Sequence, residues 1–402
     1  MPVQKNPKHL PSYLMHIQQL QQEFTRFFNK PATKTYFCPG RVNLIGEHID
    51  YNGGLVMPVA IDLGTYLFIA PNDDNVLRFR SLNFDEVLDI PLVNHFEKTD
   101  NNWFNYPLGV IHHFEKNGNQ ISGLDIMFYG NLPVSSGLSS SASIEVATAF
   151  ALNDIFKGGY TLLDLVKLTK MVENTFIGVN SGIMDQFAVA FGQQGKAMVL
   201  NCETLAYDQV PVELGEYLLV IINTNKPRNL AESMYNVRVQ ECHIALDALR
   251  KELFINNLCD IDAETLYKHK HLITDETIWK RAKHIVEEND RVKLAAKLLN
   301  DGDPVGFGQL MYASHYSLKD LYEVSGKELD AIAEFGKDYQ GVIGSRMTGA
   351  GFGGCAIALV EKSRFAAYRK DLIKFYTKEI GYAPGIYETQ ISNGVRPLVL
   401  ND

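Results

Sequence analysis

Three loops of small and polar residues, widely separated along the chain, constrain the fold more than any other feature. They read GRVNLIGEHIDYNGG at 40–54, PVSSGLSSSAS at 133–143 and MTGAGFGG at 347–354. The apolar patterns beside them predict strands and helices. Because glycine tolerates unusual backbone angles, such loops allow the backbone to approach a ligand or another domain closely.

Hydrophobic periodicity predicts the elements that these loops connect. Predicted strands lie at 34–38, 56–61, 66–70, 76–80, 124–129 and 217–222, and predicted helices at 10–28, 103–116, 139–156, 162–176 and 232–253, with a short helix from Met184. This mixture predicts an α/β or α+β fold in two layers. We expect two domains, 1–205 and 206–402, with a boundary near 200–215.

Composition excludes several classes of protein. The chain has 402 residues and a net charge of −9, which argues against a general nucleic-acid binder. The five cysteines are scattered without a CxxC pair, so a reducing compartment is favoured over a disulfide framework. No apolar run approaches the ~20 residues of a membrane helix, and no secretory signal is visible. We expect a cytoplasmic protein.

The first loop carries four polar side chains with different hydrogen-bonding roles, Arg41, Glu47, His48 and Asp50. A polyol requires such a mixture, because each sugar hydroxyl both donates and accepts hydrogen bonds. The alternative is a charged surface loop, which the interleaved apolar residues disfavour.

The second loop follows a predicted strand and opens a predicted helix. Backbone N–H groups at a helix N-terminus attract anions, so the segment predicts a phosphate site. A serine-rich N-cap is the alternative. Six serines in nine residues exceed what one cap requires.

In the third loop, Gly349, Gly351 and Gly354 match a dinucleotide-binding fingerprint literally. That interpretation is rejected, since the fingerprint opens a helix and here an apolar strand pattern follows. Between the second and third loops, Glu173 and Asp185 suggest one metal ligand and one group that faces a phosphoryl acceptor. For Asp185 alone, a carboxylate that favours a helix N-terminus is the competing interpretation.

Other nucleotide-binding and metal-binding patterns are absent from the sequence. No Walker motif and no protein-kinase HRD or DFG signature occurs. His269 and His271 lie in a polar stretch where solvent exposure is favoured over metal binding. His112 and His113 flank an apolar helix face, and we expect them to have structural roles.

Together the three loops resemble the GHMP small-molecule kinases, and the first loop resembles the galactokinase signature. The resemblance covers nearly the whole chain and implies a two-domain GHMP architecture with the active site between the domains. It implies ATP-dependent phosphorylation of the galactose C1 hydroxyl in the Leloir pathway by a monomer, with Mg²⁺ as cofactor. Nucleic acid and membrane are not expected partners.

Residue roles follow from the resemblance. Arg41 and Asp185 would be catalytic, with Asp185 acting as a base or electrostatically. Ser141 and Glu173 would hold Mg²⁺. Galactose would contact Glu47, His48, Asp50, Gly182, Asp185 and Tyr235. The nucleotide would contact Ser81, Trp103, Ser136, Gly137, Leu138, Ser139, Ser140, Ser141 and Ala142. For Trp103, a position in the core of a helix face is an equal alternative.

The chain departs from the family pattern at two positions. Ser135 stands where the phosphate loop commonly has glycine, and Ile49 replaces the usual threonine. Isoleucine at this position is also familiar from N-acetylgalactosamine kinases, so that activity stays an alternative. The other alternative is a non-catalytic sensor of galactose and ATP, which the complete 139–143 serine segment disfavours.

Overall fold

The computed structural model describes residues 17–93, 95–99, 102–133, 137–179, 182–226 and 231–399. Its helices are α1 (Ile17–Phe28), α2 (Asn105–Lys116), α3 (Ser140–Phe156), α4 (Leu162–Val172), α5 (Met184–Phe191), α6 (Ala231–Leu249), α7 (Ala263–Lys268), α8 (Glu276–Asn300), α9 (Pro304–Ser317), α10 (Lys327–Asp338) and α11 (Phe365–Ile380). The predicted mixed α/β class is confirmed. Of the helix predicted at 10–28, the first seven residues lie outside the described ranges.

The strands form three sheets. They are β1 (Lys34–Asn43), β2 (Leu55–Val56), β3 (Pro58–Asn72), β4 (Val76–Ser81), β5 (Leu88–Pro91), β6 (Gly123–Gly130), β7 (Lys196–Asn201), β8 (Tyr207–Pro211), β9 (Tyr217–Asn223), β10 (Val342–Thr348), β11 (Cys355–Glu361), β12 (Gly385–Thr389) and β13 (Arg396–Pro397). The strand orders are β13-β1-β3-β6-β4-β5, β10-β11-β9-β12 and β2-β7-β8. Every pair is antiparallel except β4 with β6.

The six-stranded sheet is covered on both faces, which explains why β1 is buried almost throughout. Helix α1 packs Leu20 and Phe24 against Phe68 and Met127 on one face. These two α1 residues are four apart, as expected for the apolar stripe of a surface helix. Helices α3 and α5 pack against β1 and β3 from within the main core.

The four-stranded sheet is built from the second half of the chain and packs against α9, α10 and α11. After β12 the chain returns to the first sheet, where Phe37 of β1 lies opposite Arg396 of β13. The main cluster of buried apolar side chains includes residues of both halves. The predicted domain boundary near 205 stays a prediction.

The third loop lies between β10 and β11, which form an antiparallel pair. The rejection of the dinucleotide fingerprint is therefore confirmed, because strand β11 and not a helix begins directly after Gly354. Within the described ranges, none of the helices combines the length and the apolar character that a bilayer crossing requires.

Candidate active site

A bulge in β1 directs Arg41 toward the second loop. The pairing of β1 with β3 shifts register between Pro39 and Arg41, where proline lacks the N–H that a regular ladder needs. Gly40 is tightly enclosed, since a β-carbon there would lie 2.6 Å from the carbonyl oxygen of Leu138. The backbone N–H of Arg41 donates to that same oxygen over 3.1 Å.

Arg41 and Asp185 form a two-point ion pair. Arg41 Nε donates to Asp185 Oδ1 and Nη2 donates to Oδ2, both over 2.9 Å. Arg41 Nη1 donates to the carbonyl oxygen of Gly137 over 2.7 Å. The arginine is 6% exposed, whereas the Asp185 side chain is 29% exposed. The pair therefore presents its carboxylate to solvent beside the second loop.

The second loop leads into α3 through two residues in left-handed conformation, Gly137 (φ 74°) and Ser139 (φ 62°). Ser139 occupies the N-cap position, yet its side chain makes no hydrogen bond to the helix. Its hydroxyl instead donates to Asp185 Oδ2 over 2.6 Å. The serine-rich cap is therefore the wrong interpretation for this residue. Leu138 and Ala142 are buried, and Ser136 lies outside the described residues together with Ser135.

Ser141 and Glu173 meet where α3 faces the end of α4. Ser141 Oγ donates to Glu173 Oε1 over 3.0 Å, and Glu173 is 6% exposed. A π-helical turn, Glu173–Ile177, follows α4 and begins at this carboxylate; such turns are frequent at functional sites. Within the described part of the chain, no three His, Cys, Asp or Glu side chains converge to hold a metal. A hydroxyl and one carboxylate fit Mg²⁺, which usually keeps waters and phosphate oxygens as its other ligands.

Asp50 and Gly182 lie in contact, and Asp50 is close enough to Asp185 for the two carboxylates to interact. A β-carbon on Gly182 would lie 2.3 Å from Asp50 Oδ2, so a larger residue there would displace the Asp50 carboxylate. Burial, reinforced by the neighbouring Asp185 carboxylate, raises the pKa of Asp50 to about 6. Tyr235 of α6 places its ring 5.4 Å from the His48 ring. Asp50 and Tyr235 thus lie near Asp185, whereas the predicted contacts of these residues with galactose stay predictions.

Glu47 joins the first loop to the third. Its Oε2 accepts hydrogen bonds from Asn43 Nδ2 (2.9 Å) and Arg346 Nη2 (2.6 Å). Its Oε1 accepts from Thr348 Oγ1 (3.1 Å) and from the backbone N–H of Gly349 (2.8 Å). The carboxylate is buried and receives four protein donors. The predicted contact of Glu47 with galactose stays a prediction.

His48 also contacts the third loop. Its Nε2 lies 3.1 Å from the carbonyl oxygen of Ala350, and its Nδ1 lies 2.8 Å from the hydroxyl of Tyr51. Burial lowers the pKa of His48 to about 4, so the imidazole is neutral at neutral pH. Protein partners occupy both ring nitrogens, which leaves the ring face and the backbone for any ligand.

A cavity of about 180 Å³ lies beside the start of α3. It collects four residues predicted to contact the nucleotide, Ser81, Trp103, Ser140 and Ser141. Trp103 stacks at 16° on Phe84, donates from Nε1 to a backbone carbonyl over 3.3 Å, and also packs against the core. Both interpretations of this tryptophan are therefore compatible with its position.

The predicted structural roles of His112 and His113 are confirmed. His112 Nδ1 accepts from a backbone N–H over 3.3 Å, and His113 Nε2 lies 3.0 Å from Thr175 Oγ1. The His271 side chain is 61% exposed, and His269 is partly exposed. Their position agrees with solvent exposure.

The residues that connect the loops carry no distinctive sequence motif of their own; they are chiefly Asn43, Tyr51, Tyr322 and Arg346. The signal available for two of them was a polar residue inside a strand that is otherwise apolar, as for Asn43 in β1 and Arg346 in β10. A buried polar residue of this kind indicates that a polar partner lies nearby, but the sequence does not show which residue that partner is.

Three family models match the chain. They are described as the galactokinase galactose-binding signature (residues 22–71), the GHMP kinases N terminal domain (105–193) and the GHMP kinases C terminal (295–377). Mevalonate kinase from Methanococcus jannaschii has the same fold, with a TM-score of 0.66 at 23% identity over 89% of this chain and 98% of that one. The fold and its three loops define a GHMP small-molecule kinase.

Relatives of higher sequence identity show to which family of GHMP kinases the chain belongs. The galactokinase of Streptococcus thermophilus is 49% identical over 96% of this chain and 100% of its own length, and that of Clostridium tetani is 47% identical over 94% and 97%. The crystal structure of Lactococcus lactis galactokinase complexed with galactose matches with a TM-score of 0.90 at 44% identity, over 95% of this chain and all of that one. The chain belongs to the galactokinase family, which comprises ATP-dependent sugar kinases.

Proposed function

We propose that the protein transfers the γ-phosphate of ATP to the C1 hydroxyl of galactose, giving galactose 1-phosphate and ADP at the entry to the Leloir pathway. The observation that carries this proposal is the position of Asp185. Its carboxylate is held by Arg41 and by Ser139 of the second loop, and Asp50 of the first loop lies beside it. Residues of the first and second loops therefore meet at one carboxylate, which supports the proposal.

In this proposal the C1 oxygen forms a bond to the γ-phosphorus while the bond from that phosphorus to the bridging oxygen of ADP breaks. Asp185 orients the hydroxyl and accepts its proton or stabilises it electrostatically. Arg41 offsets negative charge on the transferred group, and the N–H groups at the start of α3 hold phosphate oxygens. The transition state is loose, so positioning and charge stabilisation dominate over covalent chemistry.

The function is tested by measuring ADP release with galactose, glucose, N-acetylgalactosamine and mevalonate as acceptors. We expect turnover with galactose at a kcat/KM well above that of the other three. Turnover only with N-acetylgalactosamine would support that alternative. No turnover together with galactose binding would support a non-catalytic sensor.

The catalytic pair is tested with Asp185→Asn and Arg41→Lys. We expect Asp185→Asn to lower kcat by about 100-fold or more, with galactose Kd changed much less. Arg41→Lys loses the two-point geometry of the guanidinium and should also lower kcat strongly. Near-normal kcat in Asp185→Asn would exclude a role as base.

Ser141 and Glu173 would hold Mg²⁺, which supplies positive charge to the phosphates when bound with the nucleotide. The test is the binding of Mn²⁺ in the presence of ADP, followed by electron paramagnetic resonance. Glu173→Gln should weaken this binding about tenfold or more. Asn174→Ala, an exposed neighbour on the same π-helical turn, serves as the matched control. Equal Mn²⁺ affinity in all three proteins would remove Glu173 from the metal site.

A cytoplasmic location and a monomeric state belong to the same proposal. All five cysteines carry free thiols, which supports a reducing compartment. Fractionation of cells and sedimentation of the purified protein test these two points separately.

A further inference from the structure

Tyr322 lies at the junction of the first loop with two C-terminal helices. It ends the π-helical turn Leu318–Tyr322 that follows α9 and is fully buried. Its hydroxyl lies 2.8 Å from the hydroxyl of Tyr51 and 3.1 Å from Cys242 Sγ of α6. Its ring centroid is 4.9 Å from that of His48. A tyrosine enclosed in this way connects several elements through one side chain.

These contacts continue into the third loop. Tyr51 is also 2.8 Å from His48 Nδ1, and His48 Nε2 is 3.1 Å from the carbonyl oxygen of Ala350. Five groups therefore form one unbroken hydrogen-bond chain from Cys242 to Ala350. It begins on α6, crosses the first loop and ends on the third.

Only one arrangement of protons satisfies this chain when His48 is neutral. A carbonyl oxygen can only accept, so Nε2 of His48 carries the ring proton and Nδ1 must accept from Tyr51. The oxygen of Tyr51 then accepts from Tyr322, and the oxygen of Tyr322 accepts from the Cys242 thiol. Burial keeps the imidazole neutral by lowering its pKa to about 4. Each donor thus fixes the orientation of the next.

The segment around Tyr322 is itself anchored. Arg238 Nε donates to the carbonyl oxygen of Tyr322 over 2.7 Å, and Arg281 Nη1 donates to that of Leu321 over 2.6 Å. The carbonyl oxygen of Val324 accepts from the backbone N–H of Phe352 over 2.7 Å. The segment thus contacts the third loop directly through Phe352, in addition to the hydrogen-bond chain that ends at Ala350.

We infer that Tyr51, Tyr322 and Cys242 are positioning residues whose hydrogen-bond chain holds the His48 ring, in the Nε2–H tautomer that the Ala350 carbonyl requires, and so holds the third loop at Ala350 against the first. This inference rests on the proposed function, because the first loop is the one expected to bind galactose. The chain acts through His48, so His48 contributes by placing a loop rather than by donating from its ring to the sugar.

The kinetic test removes single hydroxyls while it keeps the rings. Tyr51→Phe and Tyr322→Phe are each expected to lower kcat/KM for galactose about five- to tenfold, as for one lost hydrogen bond. Because both hydroxyls belong to one chain, the double variant should be little worse than the more severe single variant. Tyr368→Phe is the matched control, since Tyr368 is fully buried and its hydroxyl has no hydrogen-bond partner among the described residues. Its kcat/KM should stay unchanged.

The second readout is the tautomer of His48, measured by ¹⁵N NMR on histidine-labelled protein and assigned with His48→Gln. Wild-type protein should show a protonated Nε2 and an unprotonated Nδ1 at neutral pH. Tyr51→Phe should keep this tautomer, because the Ala350 carbonyl still accepts from Nε2–H, but it should shift the Nδ1 resonance, since Nδ1 loses its donor. A wild-type Nδ1–H tautomer, a charged ring at neutral pH, or fully additive kinetic effects would each overturn the inference. The NMR measurement needs no turnover, so a wild-type protein that fails to phosphorylate galactose but shows this tautomer contradicts only the proposed function.

Discussion

Residue 49 is isoleucine where the family commonly has threonine, and its side chain is fully buried. It packs at the far end of the first loop, because a β-carbon on Gly54 would lie 2.8 Å from Ile49 Cβ and 2.8 Å from Cys259 Sγ. The backbone carbonyl of Ile49 also accepts from the N–H of Gly54 over 2.9 Å. Its side chain therefore supports the shape of the loop.

We expect Ile49→Thr to lower stability without changing the sugar preference. The substitution replaces a buried ethyl group by a hydroxyl, at a cost of about 1–3 kcal/mol. Urea unfolding measures this cost, and kcat/KM with galactose and N-acetylgalactosamine measures the preference. A tenfold or larger change in the ratio of the two kcat/KM values would show that Ile49 selects the substrate.

Asp50 of the first loop makes the stability of the protein depend on pH. Its pKa is raised to about 6, whereas an aspartate in the unfolded chain titrates near 3.9. The folded state therefore binds the proton more tightly, and this contribution to stability is full below about pH 4 and is lost as pH rises through about 6. A protonated Asp50 accepts hydrogen bonds from sugar hydroxyls more weakly than the carboxylate does, so the KM for galactose should rise below about pH 6.

Asp50→Asn should consequently stabilise the free protein by about 1–3 kcal/mol at pH 8, with a smaller gain at pH 5, while it weakens galactose binding. Urea unfolding at the two pH values and calorimetric titration with galactose provide the measurements. An Asn variant that is less stable than wild type at pH 8 would contradict the account of a costly buried carboxylate.

The bulge in β1 is the element that sets the direction of Arg41. We expect Gly40→Ala to lower kcat by about tenfold or more, because the new methyl group would displace the Leu138 carbonyl and with it the second loop. Gly326→Ala is the control, since a β-carbon there meets only side-chain ends at 3.6 Å. Equal kcat for the two variants would remove the bulge from the account.

Helices and strands that have local sequence patterns could be predicted from the sequence. For α4, such a pattern predicts the start of the helix but not its end. Thr161 and Asp164 form a capping box at its start, a pattern visible in the sequence. At its other end, the helix predicted to reach residue 176 stops at Val172 and changes to the π-helical turn at Glu173. No periodic pattern of residues marks the π-helical turn, because the turn depends on contacts with elements that are distant along the chain.

The candidate site also contains residues that could be predicted from the sequence and residues that could not. The loops that carry Arg41, Asp185, Ser141 and Glu173 have distinctive sequences, so these residues could be proposed before the fold was known. The chain from Cys242 to His48 could not, because Tyr322 joins Cys242 and Tyr51, residues of ordinary type that lie 80 and 271 positions away from it in the sequence.

Across the whole molecule, Arg346 of β10 joins the second half of the chain to the first loop. It is fully buried, pairs with Glu47 over 2.6 Å, and donates to the carbonyl oxygens of Asn43 and Leu44, both over 3.1 Å. These contacts link the four-stranded sheet to the strand that carries Arg41.

Arg346→Met should therefore destabilise the protein by about 3–5 kcal/mol, because Glu47 would remain buried without its cation. Adding Glu47→Gln should restore part of that loss. Chemical denaturation of the three proteins measures both effects, and a loss below about 1 kcal/mol in the single variant would show that the ion pair does not hold the halves together.

We propose that one active site joins the γ-phosphate of ATP to the C1 oxygen of galactose. This proposal is tested most directly by incubating the protein with ATP, Mg²⁺ and galactose labelled with ¹³C at C1, and recording ¹³C and ³¹P NMR spectra of the product. We expect a phosphate ester whose phosphorus splits the labelled C1 resonance, with ADP formed in equal amount. A phosphate ester at another carbon, or free phosphate without sugar phosphate, would contradict it.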